Sequence, residues 1–176
     1  MSELDELRFE VRRLADRESI RDVFTRFAAA MDGQDWDLLA TVFADDAVFD
    51  HSVEGWNGHE SAVWTGQPRI RAEVEAGAGR HFASHHVITN HRIELDGDRA
   101  RVVAYLHSVH LDDPLRPDVH ADHGAWYLAA LVRRAAGWRI SWLTHKSLWA
   151  DHEYQPPGPV TDADRRAMRE HVARST

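Results

Sequence analysis

The 176 residues contain no cysteine, which removes disulfide bridges, thiolate metal sites and cysteine nucleophiles together. Basic charge is scarce: 21 Lys and Arg stand against 29 Asp and Glu, a formal charge of -8, and no Lys/Arg block forms a patch. Phosphate backbones need a basic face, so a general nucleic-acid binder is excluded. Long apolar runs are missing too. No stretch approaches the roughly 20 residues of a membrane span. The acidic opening Met1-Ser2-Glu3-Leu4-Asp5-Glu6 has no apolar run behind it, and we expect a cytoplasmic protein.

What remains is ordinary globular composition, 43% hydrophobic and 28% charged, which excludes disorder and fibrous structure. The length suits one domain, residues 1–176, with a core over about 10–150 and a C-terminal extension over 151–176. Seven tryptophans are many for this length, and a broad apolar ring with one polar handle suits both a core and a pocket wall.

From Leu4 to Met31 the apolar residues Leu4, Leu7, Val11 and Leu14, then Ile20, Val23, Phe24, Phe27 and Met31, follow the spacing of an amphipathic helix. Ser2 is placed to cap it, and Asp16 marks a candidate break. Arg12, Arg13, Asp16, Arg17, Glu18 and Arg21 lie mostly off the stripe and read as a solvated face. Asp32-Gly33 ends the helix, with Gly suited to a left-handed cap. A short helix is expected over 35–43, a strand over 46–51, a glycine-containing loop over 58–66 and a third helix over about 67–76.

The period then becomes alternating. Residues 82–95 and 99–111 read as long strands joined at Asp96-Gly97, a hairpin signal because Gly accepts positive φ. Further strands are expected over about 120–134 and 138–149, and a capped helix from Thr161. Helices followed by long antiparallel strands give an α+β fold. Its expected form is a curved, mostly antiparallel sheet wrapped around the N-terminal helix, a cone with a pocket at its mouth.

Side chains alternate along a strand, so parity sorts the candidates. With His86 inward, Ile88 and Asn90 share its face; on the next strand His110 points inward, and on the third His123 and Tyr127 do so. Asp32, ending the first helix, is the candidate partner of His86. A carboxylate holding one imidazole nitrogen fixes the tautomer and frees the other nitrogen to take a proton. Tyr127, His51 or Asn90 could hydrogen-bond a developing oxyanion, and Trp56, Trp64 and Trp149 could wall a ligand. Each has a structural alternative: Asp32 as a helix-end residue, His110 as a buried polar packing residue, the rest as pocket lining.

The segment 27–37, then Phe43-Ala44-Asp45-Asp46-Ala47-Val48-Phe49-Asp50, with His86-Val87-Ile88-Thr89-Asn90, Trp126-Tyr127 and Gly137-Trp138-Arg139-Ile140, resembles SnoaL-like proteins of the nuclear transport factor 2-like superfamily. That group includes scytalone dehydratase and hexachlorocyclohexane dehydrochlorinase. The resemblance implies a catalytic pair at Asp32 and His86 and a second active-site histidine at His110. Two tyrosines of scytalone dehydratase fall on Met31 and His51, and its polar Ser and Asn on about Ala121 and His123, so the substrate differs. A cofactor-independent lyase is implied, a dehydratase acting on a small hydrophobic cyclic or polycyclic carbonyl compound.

Isomerase or polyketide-cyclase chemistry uses the same constellation, and a non-catalytic ligand-binding or assembly protein is the rival of another class. The resemblance also implies a homodimer or homotrimer formed through the exposed sheet face. Metal readings are weak. His120-Ala121-Asp122 with His171 has facial-triad form in the wrong context, His59-Glu60 lacks the second His of a zinc protease, and Gly-x-Ser-x-Gly is absent. No metal or cofactor is expected.

Overall fold

The computed structural model describes residues 2–51 and 62–150. In chain order these form α1 (Glu3–Asp32), α2 (Trp36–Ala40), β1 (Phe43–Asp50), β2 (Val63–Thr65), α3 (Gln67–Ala78), β3 (Ala83–Asp96), β4 (Arg99–Leu111), β5 (Ala121–Arg134) and β6 (Gly137–Ala150). The six strands make one sheet in the order β2-β1-β6-β5-β4-β3. β1 runs parallel to β6, and the other neighbouring pairs are antiparallel. The sheet is curved and unclosed, and α1 lies against its concave face, the expected cone. Trp56 and the helix expected from Thr161 fall outside the described residues. Among the described residues, no helix is long and apolar enough to cross a membrane.

Extra residues bend the strands. The ladders slip between Thr89 and Arg92, between Gly124 and Ala125, and between Ala130 and Leu131, and each slip adds local twist. Gly124 lies so close beneath the Trp149 indole that a Cβ would have no room. Small side chains finish the cup: Ala100, Ala104, Ala125 and Ala129 line the inner face, leaving space for Phe24 and Phe27 of α1. Phe27 sits edge-on to Phe43 at 5.8 Å and tilted against Tyr127 at 5.6 Å. Burying a Phe or Leu side chain stabilises by about 1.5–3 kcal/mol, so this helix–sheet contact dominates the packing.

The helix ends follow local chemistry. Ser2 and Asp5 form a reciprocal capping box, and the Asp35 carboxylate accepts from the Leu38 N–H at 2.8 Å. α2 ends at Ala40 rather than residue 43, because Val42 and Phe43 are drawn into the core and β1 begins there. The cap after α1 also differs from expectation: Gly33 is right-handed, and the positive φ falls on Gln34 at 51°. The expected loop over 58–66 contains β2 within its described part.

α1 has no break. Asp16, expected on a solvated face, is 8% exposed. Its carboxylate accepts from Arg133 at 2.6 Å and from the Trp138 indole at 3.3 Å. The Arg133 guanidinium also covers the Trp138 ring at 4.5 Å and binds Asp98 at 2.8 Å. Arg17, expected beside Asp16 in solvent, donates to the Ile93 carbonyl at 3.0 Å. A polar residue inside the helix therefore ties α1 to β5 and β6.

Arg133→Ala should cost about 2–3 kcal/mol in urea unfolding, since it leaves the Asp16 carboxylate without its cationic partner. The Arg133 bond holds the Asp16 carboxyl below its ordinary value of 3.8. A lowered folded value means the contribution is complete above 3.8 and is lost as pH falls through the folded value. Asp16→Asn should therefore flatten the acid limb of the stability profile.

Candidate functional site

Asp32 is the last residue of α1, and the helix delivers it to the mouth of the cone beside β3. The His86 backbone N–H donates to Asp32 Oδ2 at 3.0 Å, and His86 Nδ1 lies 2.6 Å from Oδ1. A carboxylate can only accept, so Nδ1 carries a proton, and in the neutral ring the lone pair is on Nε2. The His86 side chain is 5% exposed and that of Asp32 27%. The two expected partners therefore touch, with the histidine inside and the carboxylate at the rim.

β4 places His110 against this pair, its ring edge-on to His86 at 5.3 Å. Ser84, one step back on β3, sets Oγ 3.0 Å from His110 Nδ1. His81 stacks on His110 at 4.5 Å, and its own Nδ1 lies 2.6 Å from Asp112. Burial, with the neighbouring His86, His81 and His123, pushes the His110 imidazolium down to about 3. His110 is a neutral ring at neutral pH, flanked by two Asp–His pairs.

A second group lies deeper. His123 is 3% exposed, and its Nε2 is 3.0 Å from Ser147 Oγ. His145 packs edge-on to His123 at 4.7 Å and parallel to His51 at 5.1 Å, and His51 stacks in turn on Trp64 at 5.5 Å. Tyr127, 5% exposed, closes the group against His145 at 5.7 Å. Burial pushes His123 and His51 down to about 4, and His145 well below its ordinary value. Neither ring nitrogen of His145 finds a hydrogen bond among the described residues. Among those residues, no group of three or more His, Asp or Glu is arranged to hold a metal ion. His120 and His107 each reach Asp122 only at 3.9 Å, and His171 lies outside the described residues.

The structure thus gathers Asp32, His86, His110, His51, His123 and Tyr127 into one region, with Met31 half-buried beside the core. Asn90 departs from the expected parity. It sits at the slip in β3 with φ 54°, is exposed, and yields its inward place to His91, which packs on Phe24 at 5.2 Å. The extra residue there turns the strand over. His81, Asp112, Ser84, His145 and Ser147 were missed. Parity alone would have found Ser84 from His86, and His145 with Ser147 from Leu143. His81 and Asp112 flank facing strand ends, which the Ala83–Leu111 pairing brings together.

The profile of the SnoaL-like domain matches residues 12–144. Among curated proteins, none matches the sequence. Among solved structures, the Kfla4162 protein of Kribbella flavida is similar at 26% identity with a TM-score of 0.71, over 80% of this chain and 95% of that one. A hexachlorocyclohexane dehydrochlorinase, LinA-type3 of Novosphingobium barchaimii, is similar at 20% identity and TM-score 0.67, over 81% and 92%. A candidate scytalone dehydratase of Novosphingobium aromaticivorans is similar at 17% identity and TM-score 0.67, over 85% and 97%.

The buried imidazoles give the fold a pH dependence. An unfolded chain protonates each near 6.5, whereas the folded one keeps His110 neutral to about 3 and His123 and His51 to about 4. Below about 6.5 the unfolded state binds more protons, so stability is complete above that pH and declines toward about 4, by up to about 1.4 kcal/mol per pH unit for each histidine. Urea unfolding between about pH 7.5 and 4.5 should show this slope. His123→Gln should reduce it, and a flat profile would contradict the burial described.

Proposed function

The chain belongs to the SnoaL-like domain family, and from that premise we propose that it is a cofactor-independent lyase, a dehydratase whose acid/base group is the Asp32–His86 pair. The observation that carries the proposal is the two-point hold of Asp32 on His86, at 3.0 and 2.6 Å. It fixes ring orientation and tautomer together. The dehydratase and dehydrochlorinase named among the similar structures are both elimination enzymes, and they support the reaction class.

The substrate is a small hydrophobic cyclic or polycyclic carbonyl compound bearing a hydroxyl β to the carbonyl. His86 Nε2 takes the proton α to the carbonyl, and the C–H electrons form the new C=C bond as the C–O bond breaks. The imidazolium, offset by the Asp32 carboxylate, returns its proton to the departing hydroxyl, which leaves as water. His110 is neutral near pH 7, so it serves as a hydrogen-bond donor to the oxygen that gains charge rather than as a cationic acid. Tyr127, His51 and His123 act on the substrate's other polar groups, and Met31 supplies apolar wall. Asn90, being exposed, is not used.

The same pair performs isomerisation when the proton returns to another carbon, and the solvent distinguishes the two. In deuterated water, elimination lowers the product mass by the water lost, whereas isomerisation loses no atoms and raises the mass slightly where deuterium replaces hydrogen. A thermal-shift screen of cyclic hydroxyketones supplies the substrate. On any compound turned over, His86→Ala and Asp32→Asn should each lower kcat by about 10²–10⁴. Unchanged turnover in both would remove this mechanism. Binding without turnover in the unmutated protein would favour the ligand-binding reading.

A further inference from the structure

The apolar stripe of α1 changes side. Asp16, Ile20, Val23, Phe24, Phe27 and Ala30 are its buried residues. At about 100° per residue, Leu4, Leu7, Val11 and Leu14 lie roughly 180° away from them, on the outer side of the helix. The four are 54%, 60%, 57% and 65% exposed. Every residue from Ser2 to Arg12 is exposed; on the inner side Phe9 and Arg12 border a groove with Leu95, Gly97 and Asp98, so it is the outer side of these turns that stands clear of the body. Further along the same line stand Glu18, Arg21 and Thr25, and the stripe ends there.

The spacing of that stripe is a heptad repeat, with Leu4 and Val11 at a and Leu7 and Leu14 at d. Among parallel coiled coils, Val at a, as at Val11, with Leu at both d positions favours two strands over three. The flanking charges choose the parallel orientation. In a parallel pair, Glu3 at g faces Arg8 at e of the other helix, twice by symmetry. In an antiparallel pair, Arg8 would face Arg8 and Glu10 would face Glu10. Among the described residues Arg8 reaches Asp5, at 3.9 Å on the surface, a contact of little worth.

The chain's own remaining segments begin far from the stripe. β1 and β6 run parallel, and residues 52–61 and 151–176 follow their mouth-side ends. The 14-residue β6 separates that mouth from the Arg133 and Gly137 end by roughly 45 Å. The bodies would also stand clear of one another, since each lies on the far side of its helix from the seam. We propose that Leu4, Leu7, Val11 and Leu14 form a parallel two-helix seam with a second copy of this chain. The seam is distinct from the sheet's outer face, where Tyr105, Trp126 and Trp142 lie. Two heptads bury less than a standard interface of about 1,600 Å², so the pairing is concentration-dependent.

The absence of cysteine allows a test without background. In the full-length protein, Leu7→Cys should give a disulfide-linked dimer under mild oxidation, because d residues of a parallel pair face one another. Arg12→Cys, on the opposite side, should not. Sedimentation across a concentration series should show that Leu7→Glu with Val11→Glu loses one association step while keeping its thermal midpoint. Cross-linking of Leu7→Cys no greater than that of Arg12→Cys would overturn the proposal. So would an unchanged mass profile with a lowered midpoint, the result expected if the chain's own tail covered the stripe.

Discussion

The Asp32–His86 contact joins the end of the long helix to the strand at the edge of the sheet, and it is the interaction on which the mouth of the cone depends. Its strength comes from doubling. One carboxylate accepts both a backbone N–H and a ring N–H of the same residue, so strand position and imidazole orientation are set together. A charged acceptor makes such bonds shorter and stronger than neutral ones. At the other end of the buried stretch, Asp16 does a related job for β5 and β6 through Arg133 and Trp138. Two carboxylates sixteen residues apart, about 24 Å along the helix axis, thus hold the helix in register against the sheet while the phenylalanines between them supply the burial.

Inside the mouth, burial and like charge act in the same direction on the histidines. Desolvation is the largest cause of the lowered values at His110, His123, His51 and His145; neighbouring imidazoles add to it at His110, His123 and His145, while Asp50 opposes it at His51. A proton taken up by one of these rings would repel a second proton from its neighbours, so the group resists charging together. The consequence is a wall of neutral imidazoles, each able to donate from one nitrogen and accept at the other, in a region bordered by the carboxylates of Asp32, Asp50 and Asp112. His145 departs most from a satisfied core, because both its nitrogens lack partners among the described residues. An unpaired buried polar group costs about 1–3 kcal/mol, and such groups in native folds call for a reason beyond packing. Its place, stacked on His51 and edge-on to His123, sets that cost at the proposed site rather than in the general core.

How much of this was legible in the sequence follows from which signals are local. Alternation along β4 and β5 placed His110, His123 and Tyr127 correctly, because those inner faces keep one parity through the site. On β3 the same rule worked for His86 and failed four residues later, where Asn90 takes φ 54° and the strand turns over. Asp32 was readable because the helix ends there, and its pairing with His86 came from resemblance rather than spacing. Asp16 was misread, since a charged residue among five others looks solvated until a distant Arg and Trp arrive to satisfy it. Pairings across 117 and 122 residues leave no local trace.

The misreading of α1 as one continuous stripe has a geometric cause that the sequence does contain. Successive residues of the stripe are one, three or four positions apart in each half, but Ile20 comes six positions after Leu14. At about 100° per residue that step turns the stripe by roughly 240°, away from one side of the helix and onto another. Asp16 stands inside the gap, and its carboxylate is what first fastens the helix to the sheet. The portion after it belongs to the cone's core and carries Asp32 to the mouth. The portion before it owes nothing to that core, since its apolar side faces away from the sheet. A helix of between three and four turns is marginal alone in water, and here the anchored remainder removes the cost of nucleation. The chain can therefore present an apolar edge to solvent without losing its helical form, and whatever covers that edge meets a surface already ordered.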